Sequence, residues 1–282
     1  MCKLLRANAK RVLISKLFWG ETIIWLLYCL AYQADSCRRA MEYGIPSSEI
    51  FQQTLFSFTA FMGVLYAVFV SILIGTEYSD GTIRNKLIIG RSRTSIYLSD
   101  FIACAAAGII QTAAASFTFL VSGVLILGET GLSAVQLLQT AAVMLFLCIS
   151  YAAVYAFISM LSGSRANGSV VNLLTAFGLL FAGAYLSSRL SAPETITEYR
   201  MAQGAIQAGE QIPNPGYLSG MKRTVYQFLL DFLPGGQNME LAQGSLLPRV
   251  LEHPGLLCFY SAVLAAVLTL AGLLLFNRKD MK

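Results

Sequence analysis

The sequence is poor in charge and in the residues that carry most enzyme chemistry. Only 12% of its 282 residues are charged, about half the share of an ordinary soluble domain, and His253 is the single histidine. A zinc site or a serine–histidine protease needs more, since the six cysteines contain no CxxC pair and no GxSG spacing occurs. No G-x-x-x-x-G-K-[ST] loop is present either, which excludes nucleotide binding in the P-loop manner. We therefore expect no catalytic activity and no cofactor in this chain.

Hydrophobic residues, by contrast, make up 56% of the chain, and the mean hydropathy is +0.63. A soluble protein of this size lacks the polar surface to cover so much apolar material, so the excess must face lipid. This excludes a soluble enzyme, a disordered chain and a nucleic-acid-binding domain, despite the net charge of +5.

Long uncharged stretches predict the membrane spans, because a bilayer core takes roughly 20 helical residues to cross. Five stretches lack Asp, Glu, Lys and Arg: residues 54–75, 101–127, 134–162, 166–188 and 255–276. A sixth and weaker span, residues 17–34, contains Glu21 but has interfacial aromatic residues at both ends. We predict an all-α membrane protein with six transmembrane helices.

The distribution of basic residues predicts the orientation. Thirteen of the twenty Lys and Arg residues lie in residues 1–16, in the loop 76–100, at Arg165 or in the C-terminal tail, together with only four acids. All seven prolines fall in the two larger segments of the opposite side. By the positive-inside rule, both termini are cytoplasmic and residues 189–254 form an extracellular segment. We expect no cleavable signal peptide at the N-terminus, because its apolar stretch is too long.

Two further features of the N-terminal half have alternative interpretations. Residues 1–16 are predicted to form an amphipathic helix on the cytoplasmic membrane surface, although a plain basic flank explains them as well. Glu21 either pairs with a basic side chain at the interface or marks an intramembrane polar site. Four uncharged polar residues are candidates for interhelical hydrogen bonds: Gln111, Gln139, Asn167 and Asn172. The small residues of 103–116 favour close helix packing.

The cytoplasmic loop 76–100 predicts a short helix. Ser79 or Asp80 serves as its cap, and Gly90 ends it. One face consists of Ile83, Leu87 and Ile88, and the other carries Arg84, Asn85 and Lys86. Such a helix suits docking into the groove of a partner, whereas the alternative is a solvated basic loop.

The extracellular segment contains one amphipathic helix. Its apolar face consists of Val225, Phe228, Leu229 and Phe232, with Asp231 on the other face. Pro234, Gly235 and Gly236 end this helix, which dips into the outer leaflet or packs on the bundle. Residues 200–219 are expected to be loop, with a turn at Asn214.

Three segments resemble the ABC-2 type permeases, the membrane subunits of bacterial ABC exporters. The most specific is EYSDGTIRNKLIIGRSR at 77–93; YQFLLDFLPGGQ at 226–237 and GLLLFNRKDMK at 272–282 agree with it. The resemblance implies a type V exporter fold in the bacterial plasma membrane: an N-terminal surface helix, a cytoplasmic coupling helix and re-entrant or surface helices before the last span.

The resemblance also implies the partners and the site. A separate ABC ATPase binds ATP and docks on the coupling helix, and a second permease copy, the same or similar, completes the path. The implied ATPase contacts are Glu77, Tyr78, Asp80, Gly81, Thr82, Arg84 and, in a second contact at 163–169, Arg165. The alternative function is a secondary ion-coupled transporter or membrane sensor without an ATPase. The residues lining the spans do not identify a substrate, so a peptide, a drug, a lipid or sodium all fit.

Overall fold

The computed structural model of the protein describes residues 1–202 and 205–279 and consists mainly of helices. The elements are α1 (Cys2–Ile14), α2 (Lys16–Tyr43), α3 (Ser47–Thr54), a 3-10 turn (Ser57–Phe61), α4 (Met62–Ser79), α5 (Thr82–Ile88), α6 (Arg93–Leu127), α7 (Ala134–Ser162), α8 (Arg165–Leu190), β1 (Thr195–Ala202), β2 (Ala205–Pro213), α9 (Gly220–Phe232), α10 (Pro234–Ala242), α11 (Leu247–Glu252) and α12 (Pro254–Arg278). Residues 280–282 of the tail lie outside the described residues.

Five helical segments of the described chain are long and apolar enough to cross a membrane: Ser47–Ser79, Arg93–Leu127, Ala134–Ser162, Arg165–Leu190 and Pro254–Arg278. A sixth is reached when α1 and α2, which are bent by 55° at their junction, are taken together. The chain is therefore a multi-pass membrane protein built from helices, as its composition indicates.

The helices bring both ends of the described chain to one end of the bundle, which we call the terminal face. Asn8 of α1 donates a hydrogen bond to Ser99 near the start of α6 (3.3 Å). Arg93 at the start of α6 donates to the carbonyl of Phe276 near the end of α12 (3.1 Å). The β-hairpin and α9–α11 precede α12 in the chain and lie at the opposite end, the hairpin face.

Helices α4 and α7 form the centre of the bundle. The most apolar stretch of Ser47–Ser79, the segment that ends in α4, is 67% buried and that of α7 is 56% buried, compared with 28% for α6 and 22% each for α8 and α12. Small residues allow this packing: a Cβ at Gly108 of α6 would lie 2.5 Å from the Tyr66 ring, and one at Gly63 would lie 2.8 Å from the Tyr151 ring. Glycine at these positions lets large aromatic side chains approach a neighbouring backbone.

Two of the four predicted polar residues join helices in the core. Gln111 donates to the hydroxyl of Thr22 on α2 (3.3 Å), and Asn172 of α8 donates to Ser71 on α4 (2.9 Å) and Ser159 on α7 (2.7 Å). Asn167, in contrast, is exposed at the first turn of α8. Inside a membrane such bonds satisfy polar groups that lipid leaves unpaired.

Helix α2 continues beyond the first predicted span. Its last turns carry ion pairs three and four residues apart, in which Arg38 bonds Asp35 (2.8 Å) and Glu42 (3.0 Å). The helix ends at Gly44, whose φ of 63° lies in the left-handed region. The charged residues after Ala34 therefore extend the helix instead of ending it.

The second predicted span is interrupted at residues 55–61 between α3 and α4. The break frees backbone carbonyls, and side chains from other elements bond them: Trp25 donates to the carbonyl of Phe58 (3.2 Å) and Asn238 to that of Ala60 (3.1 Å). Irregular backbone at this depth is tolerated because protein groups satisfy it.

The prediction of a loop over 200–219 is wrong for the first part of this range, because the structure forms a β-hairpin there. Strands β1 and β2 pair antiparallel from Thr195 opposite Pro213 to Ala202 opposite Ala205, with an irregularity between Thr197 and Tyr199. The expected turn at Asn214 is present, since its side chain accepts from Gly216 N–H (2.8 Å). The cross-strand pair of Ile196 and Ile212 is β-branched, and such pairs stabilise a hairpin.

Helix α9 forms where the sequence predicts it. The segment Pro234, Gly235 and Gly236 that follows it does not lead into a loop but begins the next helix, α10. Pro234 is the first residue of α10, a position that suits its missing N–H. Val225 and Phe228 of the apolar face are exposed, whereas Asp231 is buried. The side of α9 that carries Leu230 and Asp231 therefore faces the protein.

Asp231 belongs to a cluster that joins α9, α10 and α11 and in which the two carboxyl groups, but not the arginine, are buried. Arg249 donates to its carboxylate (3.1 Å), and the same guanidinium lies 3.2 Å from Oε1 of Glu240. Burial, with the Asp231 charge nearby, raises the pKa of Glu240 to about 8. Arg249 thus pairs with both Asp231 and Glu240. Glu240 keeps its proton to a higher pH than an ordinary glutamate does.

Candidate functional site

The site that the sequence predicts lies on the terminal face, where α4 turns into α5. Gly81 makes this turn with a φ of 67°, and its N–H bonds the carbonyl of Tyr78 (3.2 Å). The expected capping of α5 by Ser79 or Asp80 is wrong, because Gly81 occupies the cap position and has no side chain to cap with. The reversal of the chain requires a left-handed residue there, which glycine supplies without strain. Gly90 follows the helix with a φ of 81°, as expected.

The buried face of α5 also differs from the expectation. Ile83 is buried as predicted, but Ile88 is 75% exposed and Leu87 only half-buried, whereas Lys86 is buried. The hydrophobic pattern missed this face because Lys86 points at acidic partners inside the protein. An ammonium group is buried only where such partners compensate its charge.

Four charged side chains meet beneath α5, and we call them the charge cluster: Arg11, Glu77, Lys86 and Asp100. Lys86 Nζ lies 2.6 Å from Glu77 Oε1 and 3.5 Å from Asp100 Oδ1. Arg11 pairs with the same Glu77 oxygen, and Asn8 donates to Asp100. Glu77 and Asp100 are 1% and 0% exposed, whereas the Arg11 side chain is 30% exposed, so two cations balance two buried carboxylates.

The charge cluster joins four elements through side chains alone. Arg11 comes from α1, Glu77 from the end of α4, Lys86 from α5 and Asp100 from the start of α6. Removing one member of a buried ion pair costs roughly 3–5 kcal/mol, because the other charge is left uncompensated. A displacement of α5 is therefore resisted by, and passed to, α1, α4 and α6.

A cavity of about 310 Å³ opens beside the charge cluster, and we call it the corner crevice. Its walls come from the α4–α5 corner, including Tyr78, Gly81 and Arg84, and from Gly163 between α7 and α8. The two separate segments that the sequence marks as partner contacts thus border one crevice.

The predicted contact residues occupy different depths around the corner crevice. Asp80, Arg84 and Arg165 are exposed, and Gly81 and Thr82 are half-buried. Glu77 is buried in the charge cluster. Tyr78 is half-buried and its hydroxyl donates to the carbonyl of Met160 at the end of α7 (2.5 Å).

A close helix contact fixes Arg165 at this site. A Cβ at Gly75 of α4 would lie 2.8 Å from Cγ and 3.1 Å from Cα of Arg165, the first residue of α8. Only glycine allows this approach, because the Cα belongs to backbone that does not move aside cheaply. The spacing of residues 75 and 165 in the sequence gives no sign of it.

Sequence reasoning missed Lys279 and Arg93, which tie the end of α12 to the site. Lys279 Nζ donates to the carbonyls of Met160 and Leu161 (3.0 Å each) and lies 4.9 Å from the centre of the Tyr78 ring. Burial lowers the pKa of Lys279. A basic side chain that bonds the last carbonyls of a helix is a known cap, but its partner helix here is distant in sequence.

Glu21 lies apart from this site, within the bundle. It is 8% exposed, it lines a cavity of only about 10 Å³ together with Gln111 and Tyr66, and no ion pair joins it to another described residue. The expected pairing with a basic side chain at the interface therefore does not form in the described part of the chain.

Comparison with known proteins is in accord with this architecture. The ABC-2 family transporter protein model matches residues 9–183, a range that includes the charge cluster and the corner crevice but not the similar segments 226–237 and 272–282. A search of curated proteins gives no match. The family model covers more than half of the chain, and the chain therefore belongs to the ABC-2 family of transporter proteins, the membrane permeases of ABC transporters.

Proposed function

We propose that this permease is the membrane half of an ABC exporter that is driven by a separate ATPase, with the corner crevice as the docking site. The observation that supports it is the charge cluster: Lys86 of α5, the helix bordering the crevice, pairs with Glu77 of α4 and Asp100 of α6, and Glu77 in turn pairs with Arg11 of α1. A partner that pushes on α5 therefore moves two spans and the surface helix together.

In this proposal the terminal face is cytoplasmic, and both termini with it. The exposed Asp80, Arg84 and Arg165 contact the ATPase, Gly81 and Thr82 shape the rim, and Tyr78 lines the wall. Glu77 acts from beneath by holding α5 in place. ATP binds to the partner, and two permease copies form the substrate path between them.

The exposed pair Asp80 and Arg84 supplies the test. A tagged full-length chain is purified from native membranes, and co-purifying ATPase is detected by photolabelling with 8-azido-ATP. We expect Asp80→Ala with Arg84→Ala to abolish co-purification, because Arg84 lines the crevice and the exposed Asp80 lies between Ser79 and Gly81, which also line it. Arg6→Ala removes one exposed charge from α1, away from the crevice, and serves as control. If the double variant recovers as much ATPase as the wild type, the proposed docking site is wrong.

A secondary ion-coupled transporter is the other candidate, and it requires Glu21 to bind the ion. The cavity beside Glu21 has about 10 Å³, which is at the lower limit for a single water molecule. We therefore expect Glu21→Gln to retain ATPase stimulation in the purified complex. Loss of stimulation with intact ATPase binding would favour the ion-coupled alternative.

A further inference from the structure

The second wall of the corner crevice is the turn between α7 and α8, residues 162–164, which we call the α7–α8 corner. Gly163 lines the crevice and has a left-handed φ of 65°. A glycine that ends a helix in this way normally bonds its N–H to a carbonyl of the last turn. The N–H of Gly128 does so after α6, where it bonds the Val124 carbonyl (3.2 Å), but in the described part of the chain the Gly163 N–H makes no backbone bond. The last carbonyls of α7 therefore need partners from other elements.

Two side chains from distant parts of the sequence supply these partners. Lys279, which directly follows α12, donates from Nζ to the carbonyls of Met160 and Leu161 (3.0 Å each). The hydroxyl of Tyr78, at the end of α4, donates to the Met160 carbonyl as well (2.5 Å). The ammonium group lies 4.9 Å from the centre of the Tyr78 ring, and a Cβ at Gly163 would lie only 2.5 Å from Nζ. Glycine at 163 therefore leaves room for a cation on the negative end of α7.

Lys279 lies behind the wall of the crevice and not on it. It is half-buried and does not line the cavity, whereas Gly163 does, and the exposed Arg165 follows two residues later as the first residue of α8. The end of α12 is fixed in turn by Arg93 of α6, which donates to the carbonyl of Phe276 (3.1 Å). The position of the α7–α8 corner thus depends on α12 and α6 through one lysine.

We propose that Lys279 is a positioning residue for the docking of the ATPase. By bonding the end of α7 it holds Gly163 and Arg165 against the α4–α5 corner, so that both walls of the crevice meet the ATPase as one surface. The inference rests on the proposed function, because it assigns the crevice to the ATPase. It also adds a span to that function: since Lys279 follows α12, a force on the α7–α8 corner reaches α12 as well as α7 and α8.

Amide hydrogen exchange of the purified full-length permease tests whether Lys279 holds the corner. Lys279→Met removes the donors and keeps an unbranched side chain, and Arg278→Gln removes one charge from the neighbouring exposed position as the matched control. We expect peptides that cover residues 158–166 to exchange about tenfold faster in Lys279→Met, because hydrogen bonds from a charged group no longer hold the last turn of α7. Arg278→Gln should exchange as the wild type does. Unchanged exchange in Lys279→Met, or an equal increase in both variants, would overturn the proposal.

A titration separates positioning from a general loss of structure. The ATPase that co-purifies with the wild type is added back to the permease in nanodiscs, and stimulated ATP hydrolysis is measured against its concentration. We expect Lys279→Met to raise the concentration for half-maximal stimulation about tenfold and to reach the wild-type maximal rate, with Arg278→Gln unchanged. A variant that only contains fewer folded molecules lowers the maximal rate at an unchanged half-maximal concentration. That result for Lys279→Met would overturn the positioning role.

The two measurements together distinguish the ways in which the inference can fail. A higher half-maximal concentration with unchanged hydrogen exchange would make Lys279 a direct contact of the ATPase and overturn its positioning role, while docking at the crevice stands. If the wild-type permease recovers no ATPase, the proposed function is wrong and the role of Lys279 in docking falls with it. Faster exchange in Lys279→Met would in that case show only that Lys279 holds the end of α7.

Discussion

Lys86 of the short helix α5 lies 2.6 Å from Glu77 at the end of α4, and both side chains are buried. This pair is the direct bond between the helix bordering the corner crevice and a central span. Since Glu77 also pairs with Arg11, the same carboxylate holds the surface helix α1. The buried carboxylate of Glu77 thus connects three helices, α1, α4 and α5.

The first prediction concerns the contribution of Lys86 and its ion pairs to the stability of the fold. Lys86→Ala leaves Glu77 with one cation and Asp100 with no ion-pair partner in the described part of the chain. We expect a loss of roughly 3–5 kcal/mol in the free energy of unfolding, measured by denaturant titration of the purified permease. Asn85→Ala, at an exposed position of the same helix, is the matched control and should cost far less.

A double-mutant cycle checks that the effect belongs to the pair. Glu77→Gln combined with Lys86→Met should cost less than the sum of the single variants, because the second change removes the charge that the first left uncompensated. Additive losses would contradict the direct pairing of the two side chains.

A second prediction concerns the crossing of α8 and α10. A Cβ at Gly183 would lie 2.2 Å from the carbonyl oxygen of Gly235, which is backbone, whereas nothing lies within 4 Å of a Cβ at Gly178 on the same helix. We expect Gly183→Ala to destabilise the permease by about 1–3 kcal/mol through overpacking. Gly178→Ala should be neutral or stabilising by up to about 1 kcal/mol, since alanine favours a helix. Equal midpoints of thermal unfolding for the two variants would contradict the close crossing.

The helices were predictable from sequence because lipid imposes a simple rule on them. A span needs about 20 apolar residues and no free backbone groups, and uncharged stretches of this length are visible in the composition. The second span was less predictable. Its break at residues 55–61 depends on Trp25 and Asn238, which bond the freed carbonyls from elements distant in sequence.

The sequence was enough to locate the segment that forms the site, but not to predict which of its side chains contact each other. The concentration of charge in residues 76–100 located it, and Gly90 marked the end of α5, whereas the cap was expected at Ser79 or Asp80 and lies at Gly81. The hydrophobic pattern placed Lys86 on the outer face, because a periodicity argument treats lysine as solvent-facing. Its burial follows from Glu77 and Asp100, and no local pattern shows that these carboxylates face α5.

The third prediction tests the orientation of the membrane protein. Cys37 follows the proposed first span and is half-buried, whereas Cys2 on α1 is exposed. With the terminal face in the cytoplasm, a membrane-impermeant maleimide on intact cells should label Cys37 and spare Cys2. Permeabilised cells should show labelling of both. Labelling of Cys2 in intact cells would reverse the orientation.

The last prediction concerns the pH dependence of the hairpin face. The pKa of Glu240 is raised to about 8 in the folded protein, above its ordinary value of 4.5, by burial and by the Asp231 charge. The folded state therefore binds the proton more strongly than the unfolded state. The resulting stabilisation is complete below pH 4.5 and is lost as the pH rises towards 8.

Glu240→Gln isolates this contribution. We expect the thermal midpoint of the wild-type permease to fall between pH 6 and pH 9, by ~2–4 °C for each kcal/mol lost. The glutamine variant cannot ionise, so its midpoint should change less over the same interval, and it should exceed the wild type at pH 9. Glu252→Gln, an exposed acid at the end of α11, is the control for general charge effects and should follow the wild type. An equal fall in Glu240→Gln and the wild type would show that Glu240 does not titrate in this range, because a side chain without a proton equilibrium contributes no pH dependence.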